Sequence, residues 1–359
     1  MPLTVLNVGY PLAPVSRGTA GGAEQILALL DEALVKAGHH SIVIAPSGSK
    51  VLGTLLATAT AEPPLTTQRV AFAWEQQRRM IRKALSEFPV DLIHMHGIDF
   101  HRYLPQCAVP VLVTLHLPPS WYPAEVYDRS NSNLHLVCVS RSQARRCPRQ
   151  TEIYATVENG VRLADFRSAP KRDYVVALGR ICPEKAFHLA IDAATQAGLS
   201  LILAGEVFGY SAHQQYWERE IKPRLRAPHR FIGVVGPQQK RELLAAARCL
   251  VVPSLVEETS SLVAMEAMAS GTPVVALRRG ALVEVVEHGR TGFLVEKPEE
   301  LPAAISATEQ LSSEACRERA EKLFSSERMT DRYLSLYWQL ASPQSLHRIV
   351  ESSSMERAA

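Results

Sequence analysis

The sequence predicts an α/β protein made of two doubly wound, parallel-sheet domains. Short apolar runs alternate with segments of helical periodicity, which is the pattern of strand–helix units in parallel sheets. This alternation occurs in both halves of the chain, and 359 residues correspond to two domains at about 150 residues each. Hydrophobic residues make up 47% and charged residues 21%, a composition that excludes disorder throughout the chain.

The first half begins with an apolar run that predicts a buried strand, followed by a helix with a one-sided apolar stripe. Gly38 is a natural stop for that helix. The small and polar residues 47–64 predict a loop. Strands are expected at residues 3–8, 41–45, 92–96, 109–115, 134–139 and 153–157, and helices at residues 22–36 and 67–86.

The second half repeats this scheme. Strands are expected at residues 174–178, 199–204, 230–234, 249–252, 273–276 and 292–295. Helices are expected at residues 184–196, 213–225, 238–247, 261–270 and 281–287, and the chain should be helical from Pro298 to about residue 340.

The two domains are expected to join at a hinge in residues 161–171, which have no clear period and contain Pro170. We expect domains at 1–162 and 163–325, a helix at 326–341 that crosses back to the first domain, and a mobile tail at 342–359. Ligands of open α/β sheets bind beyond the carboxyl ends of the strands. Functional residues should therefore follow the strands and face a cleft between the domains.

Charge and hydropathy exclude several classes of function. Lys and Arg number 39 against 36 Asp and Glu, and a net charge of +3 is too small to indicate a nucleic-acid partner. No run of about 18 apolar residues predicts a transmembrane helix, and residues 1–10 are typical of a first strand rather than a signal peptide. The six cysteines are scattered without zinc-site spacing, as expected for reduced thiols in a cytoplasmic protein.

Gly21 and Gly22 form the first candidate site, at the start of the first predicted helix. Two glycines let backbone amides approach a ligand, and the positive end of a helix favours a phosphate. The pair is not a P-loop, because no Gly-Lys-Ser/Thr follows it, and no GxGxxG dinucleotide fingerprint occurs in the chain. A simple glycine turn before a helix explains the pair equally well.

The second candidate site is the segment GRICPEK, residues 179–185, directly after a predicted strand. Arg180 and Lys185 are placed where two cations would clamp a diphosphate. Pro183 suits a first helical turn. Taken by itself, a solvated turn with two exposed cations is the alternative.

The third candidate site spans residues 253–269, after another predicted strand. Glu258 lies in the loop, and Ser260 or Ser261 can cap the helix that follows. Glu266 is expected about two turns inside this otherwise apolar helix, where a carboxylate needs a partner such as a sugar or ribose hydroxyl. The alternative is that Glu266 caps a backbone group or faces solvent.

His116 directly follows the predicted strand at residues 109–115. Its side chain would face the cleft if the end of that strand points toward the cleft. A structural role is the alternative for a lone histidine. His94 and His96 share one face of a neighbouring strand, but no third ligand is evident and no metal site is predicted.

These segments together resemble the retaining glycosyltransferases of family 4, which have the GT-B fold. The likeness covers roughly residues 3–340 and is densest in GRICPEKAFHLAIDAA, LILAGEVFG, VVPSLVEETSSLVAMEAMASGTPVVA and EVVEHGRTGFLV. Glu258 and Glu266 fit the family's pattern of two glutamates separated by seven residues, and the NGV at residues 159–161 supports the match. The resemblance implies an acceptor-side domain first and a nucleotide-sugar domain second.

The resemblance also implies roles for single residues. Glu266 would hold the nucleotide ribose, and Glu258 the hydroxyls of the donor sugar. Arg180 and Lys185, with Gly179 before them, would form the diphosphate clamp. The remaining implied positions are His116 near the reacting sugar, Gly21 and Gly22 in the loop that meets the phosphates, and the segment Thr259, Ser260, Ser261 and Leu262 against sugar and phosphate.

Three positions depart from the family's pattern. Thr259-Ser260-Ser261 stands where Gly-Phe-Gly is frequent, which leaves the identity of the donor sugar open. Ala186 follows the lysine where glycine is usual, and Arg279-Gly280 replaces a glycine pair. None of these departures removes a group of the catalytic type.

The expected reaction moves a hexose from a nucleotide diphosphate sugar to a hydroxyl of an unidentified small-molecule acceptor. The resemblance implies UDP as the nucleotide. The cations and helix N-termini would stabilise the leaving diphosphate. No DxD motif occurs, so no essential metal and no cofactor are expected. The alternatives are a GT-B nucleotide-sugar epimerase and a non-catalytic sugar-nucleotide-binding protein, and the missing GxGxxG disfavours a dinucleotide oxidoreductase.

The acceptor depends on loops at residues 47–67 and 116–133. The second loop is rich in proline and aromatic residues, including Trp121, Tyr122 and Tyr127. These rings would serve either an apolar or ring-bearing acceptor or the packing of their own domain.

Overall fold

A computed structural model describes residues 1–19, 21–60, 65–128 and 133–342. The chain forms two compact units. One contains Met1–Glu158 and the chain from Glu327 onward, and the other is Asn159–Ser326. None of the described helices is long and apolar enough to cross a membrane.

The first unit is built on a parallel sheet of seven strands in the order β3-β2-β1-β4-β5-β6-β7. Its strands are β1 Thr4–Val8, β2 His40–Pro46, β3 Thr54–Thr58, β4 Leu92–Met95, β5 Val111–Leu115, β6 Leu134–Cys138 and β7 Ile153–Thr156. Its first helices are α1 Gly22–Lys36, α2 Thr67–Glu87 and the short α3 Arg141–Ala144. Central β1 is buried along its whole length, as expected for a strand covered on both faces.

The second unit has a parallel sheet of six strands in the order β10-β9-β8-β11-β12-β13. The strands are β8 Arg172–Leu178, β9 Ser200–Ala204, β10 Arg230–Phe231, β11 Ala247–Val252, β12 Val274–Leu277 and β13 Gly292–Val295. The helices are α4 Phe187–Gln196, α5 Ser211–Tyr216, α6 Pro237–Ala246, α7 Leu262–Ala269, α8 Leu282–Val285, α9 Leu301–Ala307 and α10 Ser313–Leu323.

Alternate residues of these strands enter two separate cores. Val176 and Leu250 pack with α7 on one face of the sheet. Val175 and Val251 pack with α4 on the other face. Side chains alternate along a strand, so both faces of the second sheet are covered by helices, as in a doubly wound domain.

The last helix, α11 Ser326–Ala341, packs on the sheet of the first unit. Tyr333 and Tyr337 are fully buried there, and their hydroxyls contact Thr114 and His94 at 2.9 and 2.7 Å. Arg332 pairs with Glu158. These contacts join the C-terminal helix to strands that lie far away in sequence.

Several predicted elements were wrong in detail. Residues 54–58 form edge strand β3, although the segment was predicted as a loop. The strand was missed because its apolar run is only three residues long, at residues 55–57, and is flanked by small polar residues. Strand β10 has two residues rather than five. The helical stretch after Pro298 consists of three helices rather than one, and the last of them, Ser326–Ala341, has the predicted bounds. The predicted tail lies outside the described residues from residue 343 onward.

Candidate active site

The predicted donor-binding residues lie at the carboxyl ends of β8 and β11, which are neighbours in the second sheet. The loop after β8 contains residues 179–185, and the loop after β11 contains residues 253–261. The Leu255 amide donates a hydrogen bond of 2.9 Å to the carbonyl oxygen of Glu184, which joins the two loops. Two segments that were predicted as separate candidates therefore form one site in this unit.

Lys185 and Glu258 form an ion pair at the centre of this site. Lys185 Nζ lies 2.5 Å from Glu258 Oε1, and the two side chains are only 25% and 10% exposed. The Ser254 hydroxyl donates to the same carboxylate oxygen. The sequence indicated a different ligand for each charged group, whereas the structure shows that the groups also contact each other.

The backbone of the first loop is shaped by close contacts. A Cβ atom on Gly205 would lie 1.8 Å from the carbonyl oxygen of Gly179, so glycine is required where the ends of β8 and β9 approach. Arg180 follows with an exposed side chain. Its guanidinium helps to lower the pKa of Glu184, whose own burial acts in the opposite direction. Arg180 and Lys185 therefore share one turn, but only Lys185 pairs with Glu258.

Ala186 adopts the left-handed conformation, with φ 49° and ψ 39°. This is the position where the family usually has glycine, and the conformation costs about 1–2 kcal/mol for a residue with a Cβ atom. The left-handed residue separates a 3₁₀ turn, Pro183–Lys185, from α4. The helix predicted at residues 184–196 therefore begins only at Phe187, and Lys185 lies in the turn before it.

Glu266 is 5% exposed on α7, about one turn from its start rather than two. Its Oε1 lies 2.5 Å from Lys240 Nζ on α6. Sequence reasoning recognised that this carboxylate needs a partner but missed Lys240. A lysine in a predicted amphipathic helix carries no local signal of the glutamate that it contacts, because the pairing depends on how α6 and α7 pack.

The start of α7 matches the predicted position. Ser261 is the N-cap residue, although its side chain does not make a capping bond. The Ser260 hydroxyl oxygen is buried and has no hydrogen-bond partner among the described residues. Gly280 has φ +54°, and a Cβ atom there would lie 2.3 Å from the carbonyl oxygen of Glu258. Of the glycine pair that is usual in the family, this chain keeps only the second glycine, Gly280, and this residue packs directly on the loop that carries Glu258.

Gly21 and Gly22 lie at the start of α1 in the first unit, as predicted. A Cβ atom on Gly21 would lie 1.8 Å from Glu24 Oε2, so the Glu24 side chain in its present position packs directly on this glycine. A carboxylate in the first turn also complements the helix dipole. The turn interpretation thus has a local physical cause, and the phosphate role of the pair stays a prediction.

His116 belongs to a buried histidine cluster in the first unit. Its Nε2 lies 3.0 Å from Nδ1 of His96. The His96 and His94 rings are 4.0 Å apart, and His94 Nε2 contacts the Thr114 hydroxyl at 2.8 Å. Burial holds the pKa values of His94 and His96 well below 6.5, and it also lowers the pKa of His116, whose side chain is partly exposed. All three rings are therefore neutral near pH 7.

The aromatic loop serves mainly the packing of its own unit. Tyr122 and Tyr127 are each 5% exposed, and the Tyr127 hydroxyl donates to the Pro119 carbonyl oxygen at 2.7 Å. Trp121 is 45% exposed. Of the three predicted rings, only Trp121 therefore presents a large surface for an acceptor.

Comparisons with known proteins agree with this fold. Residues 20–165 match the family described as Glycosyltransferase Family 4, and residues 172–310 match Glycosyl transferases group 1. The first match contains strands β2 to β7, and the second contains all six strands of the second sheet. The fold and these matches define a glycosyltransferase enzyme. The chain belongs to the GT-B glycosyltransferases of the family 4 type.

Relatives that are named for different activities share this similarity. The chain is 27% identical over 348 residues to a glycogen synthase of Mycobacterium tuberculosis, covering 81% of each chain. It is 25% identical over 307 residues to a phosphatidyl-myo-inositol mannosyltransferase of Mycolicibacterium smegmatis, covering 79% of each. An Anabaena protein solved with UDP and glucose has the same fold, with a TM-score of 0.73, 19% identity and coverage of 93% and 99%. These comparisons do not favour an epimerase or a silent binding protein.

Proposed function

We propose that this glycosyltransferase moves a hexose from a UDP-sugar to an acceptor hydroxyl with retention of configuration and without an essential metal ion. The Lys185–Glu258 ion pair is the observation that carries the proposal. It places a cation and a carboxylate beside each other at the carboxyl end of a doubly wound sheet, where ligands of this architecture bind. A nucleotide diphosphate sugar carries the two complementary groups, an anionic diphosphate and a ring of hydroxyl donors.

Donor binding would exchange the partners of this pair. Lys185 would turn from Glu258 to the diphosphate, and the released carboxylate would accept hydrogen bonds from sugar hydroxyls. The pair keeps two charges compensated in a site that is only partly exposed, where an unpaired charge is costly. Arg180, exposed in the same turn, would supply the second cation.

The nucleotide would extend to α7. Among the described contacts of Glu266, Lys240 engages Oε1 and no contact is made by Oε2. The free oxygen would accept a ribose hydroxyl. The unpartnered Ser260 hydroxyl and the backbone amides at the start of α7, at Ser261 and Leu262, would contact the sugar and phosphate.

Catalysis would be electrostatic. Negative charge grows on the diphosphate as the glycosidic bond breaks, and Lys185 and Arg180 would stabilise it more strongly in the transition state than in the ground state. A donor phosphate oxygen would accept the proton of the acceptor hydroxyl on the same face of the sugar, which retains the configuration. His116 would lie near the reacting sugar, on the acceptor side.

UDP is the nucleotide that the comparisons support best, since the structurally similar Anabaena protein was solved with UDP and glucose. The named acceptors of the two relatives differ, so the acceptor is proposed only as a hydroxyl compound. The similarity to both is spread over most of the chain.

Incubation with labelled UDP-, GDP- and ADP-hexoses tests the proposal. We expect slow hydrolysis of the UDP-sugar to UDP and a hexose of retained configuration, at a rate that excess EDTA does not change. Release of an inverted hexose contradicts retention, and loss of turnover restored by Mg²⁺ or Mn²⁺ contradicts metal independence. Isomerisation of the UDP-sugar without release of UDP would identify an epimerase.

A further inference from the structure

Cys182, Glu184 and His213 form a cluster beside the diphosphate turn that the proposed reaction does not use. Their ligand atoms, the Cys182 Sγ, a Glu184 carboxylate oxygen and a ring nitrogen of His213, all lie within 4.8 Å of one another. Cys182 and Glu184 belong to the loop after β8, and His213 lies on α5. His213 is distant in sequence from Cys182 and Glu184, which is why cysteine and histidine spacing predicted no metal site.

These side chains form a ligand set for a borderline-soft divalent metal. Thiolate, imidazole and carboxylate are the ligands that Zn²⁺ takes in proteins, and three of them leave one tetrahedral position open. In such a site the ligand atoms lie roughly 3.5 Å apart, so shifts of about 1 Å would bring the cluster to bonding geometry. The Glu184 side chain is partly exposed, so it can make this adjustment toward the other two ligand atoms.

Two observations point from the cluster to a ligand. The Nδ1 atom of His213 is buried and has no hydrogen-bond partner among the described residues, although a buried ring nitrogen is normally satisfied. The Cys182 thiol is 2% exposed and interacts with the Glu184 carboxylate, so its sulfur is directed into the cluster rather than into the apolar core. The rings of Phe208 and Tyr210 pack against His213 and hold it in place.

The local charge balance favours a cation when Cys182 is ionised. The thiolate and the carboxylate carry two negative charges, and the nearby Arg180 guanidinium contributes one positive charge. Burial raises the pKa of the Cys182 thiol. Metal binding would therefore form a metal–sulfur bond and release the thiol proton to solvent.

We propose that Cys182, Glu184 and His213 bind one Zn²⁺ ion, with water in the fourth position. The ion would link the turn that carries Lys185 to α5 and would not touch the diphosphate site. The ion would be structural and would take no part in the transfer step itself, so the proposed reaction needs no metal for its chemistry. Its role would be to brace the turn, because an ion that binds only the folded state stabilises that state.

Titration of the full-length, metal-stripped protein with Co²⁺ tests this site, because a cobalt–thiolate bond gives a charge-transfer absorption band in the near ultraviolet. We expect one Co²⁺ per chain with such a band, and displacement of the Co²⁺ by Zn²⁺. Cys182→Ser should abolish the band. Glu184→Gln and His213→Gln should weaken Co²⁺ binding by at least about tenfold. Replacing a residue that only hydrogen-bonds to a metal ligand already costs about that much affinity, and a direct ligand should cost more.

Matched variants keep the result decisive. Cys107→Ser removes a partly exposed thiol of the other unit, and His40→Gln removes an exposed histidine, so both should bind Co²⁺ like the parent. If Cys182→Ser does not fold, the near-isosteric Glu184→Gln and His213→Gln decide the question. A parent without a thiolate band, a band that survives Cys182→Ser, or unchanged affinity in both other variants would overturn the proposal. None of these measurements requires donor turnover, so failure here is distinct from failure of the proposed function.

Discussion

The buried histidine cluster should make the stability of the first unit depend on pH. His94 and His96 are 0% and 2% exposed, and burial, followed by repulsion from the neighbouring histidines, holds their pKa values well below the ordinary 6.5. In the unfolded chain both rings titrate near 6.5. The unfolded state therefore binds protons first as the pH falls, and stability that is complete above about pH 6.5 is lost below it.

The size of the effect follows from the unfolded state alone, as long as the folded rings stay neutral. Between about pH 7 and about pH 5.5, each such histidine lowers the free energy of unfolding by about 1.2 kcal/mol, and the two together lower it by about 2.5 kcal/mol. His116 is partly exposed and is not counted.

Native-state hydrogen exchange of peptides from β4 and β5 measures this free energy for the first unit by itself. His96→Gln should reduce the loss between the two pH values by about 1.2 kcal/mol, because all other groups contribute equally to parent and variant. His40→Gln, which changes an exposed histidine, should leave the loss unchanged. A His96→Gln protein with the full pH dependence of the parent would refute the assignment of a neutral, buried His96.

Four further predictions concern the second unit. Lys185→Ala and Arg180→Ala should each lower kcat on the order of 10²–10³-fold with a smaller change in KM, measured by steady-state kinetics; turnover within a few-fold of the parent would mean that the clamp lies elsewhere. Glu258→Gln should weaken UDP-sugar binding about 10- to 100-fold while UDP affinity holds or rises, since Lys185 is released from its pair; calorimetry with both ligands separates this result from a general loss of binding. Glu266→Ala should weaken UDP itself by a similar factor, and a folded variant with parental affinity would contradict the ribose role. Ala186→Gly should raise the free energy of unfolding by about 0.5–1 kcal/mol in urea titrations, because relief of the left-handed backbone exceeds the added entropy of glycine; a destabilised variant would contradict this reasoning.

Elements with a strong local signal were predictable from the sequence. The helix at residues 22–36 matches α1, and the strand at residues 292–295 matches β13, because a one-sided apolar stripe and a short apolar run between turn residues specify each without help from the rest of the chain. Edge strand β3 was missed because its side chains are mostly half-exposed and carry no such pattern. The break at Ala186 was missed because alanine is the strongest helix former, and tertiary packing overrides that preference.

The site divides in the same way. The residues at the ends of β8 and β11 could be located from the sequence because ligands of parallel α/β sheets bind at the carboxyl ends of the strands. This rule needs only the strand positions and no knowledge of how the helices pack. The partners of these residues could not be located. Lys240 and His213 each lie on a helix that only the tertiary fold brings close to these loops. Nothing in the sequence around either residue distinguishes it from an ordinary surface residue.

The pairing of Glu258 with Lys185 has a consequence for how the site would select its ligand. The two side chains contact each other at 2.5 Å, so a bare sugar or a bare phosphate that binds there must break this ion pair and compensate only one of its members. The uncompensated charge would remain in a partly buried site, at a cost of several kcal/mol. A nucleotide diphosphate sugar avoids this cost because it presents anionic oxygens to Lys185 and hydroxyl donors to Glu258 at the same time. The site would then prefer the complete donor because its charged side chains are ion-paired before the ligand binds. This preference would not require a separate contact to every part of the ligand.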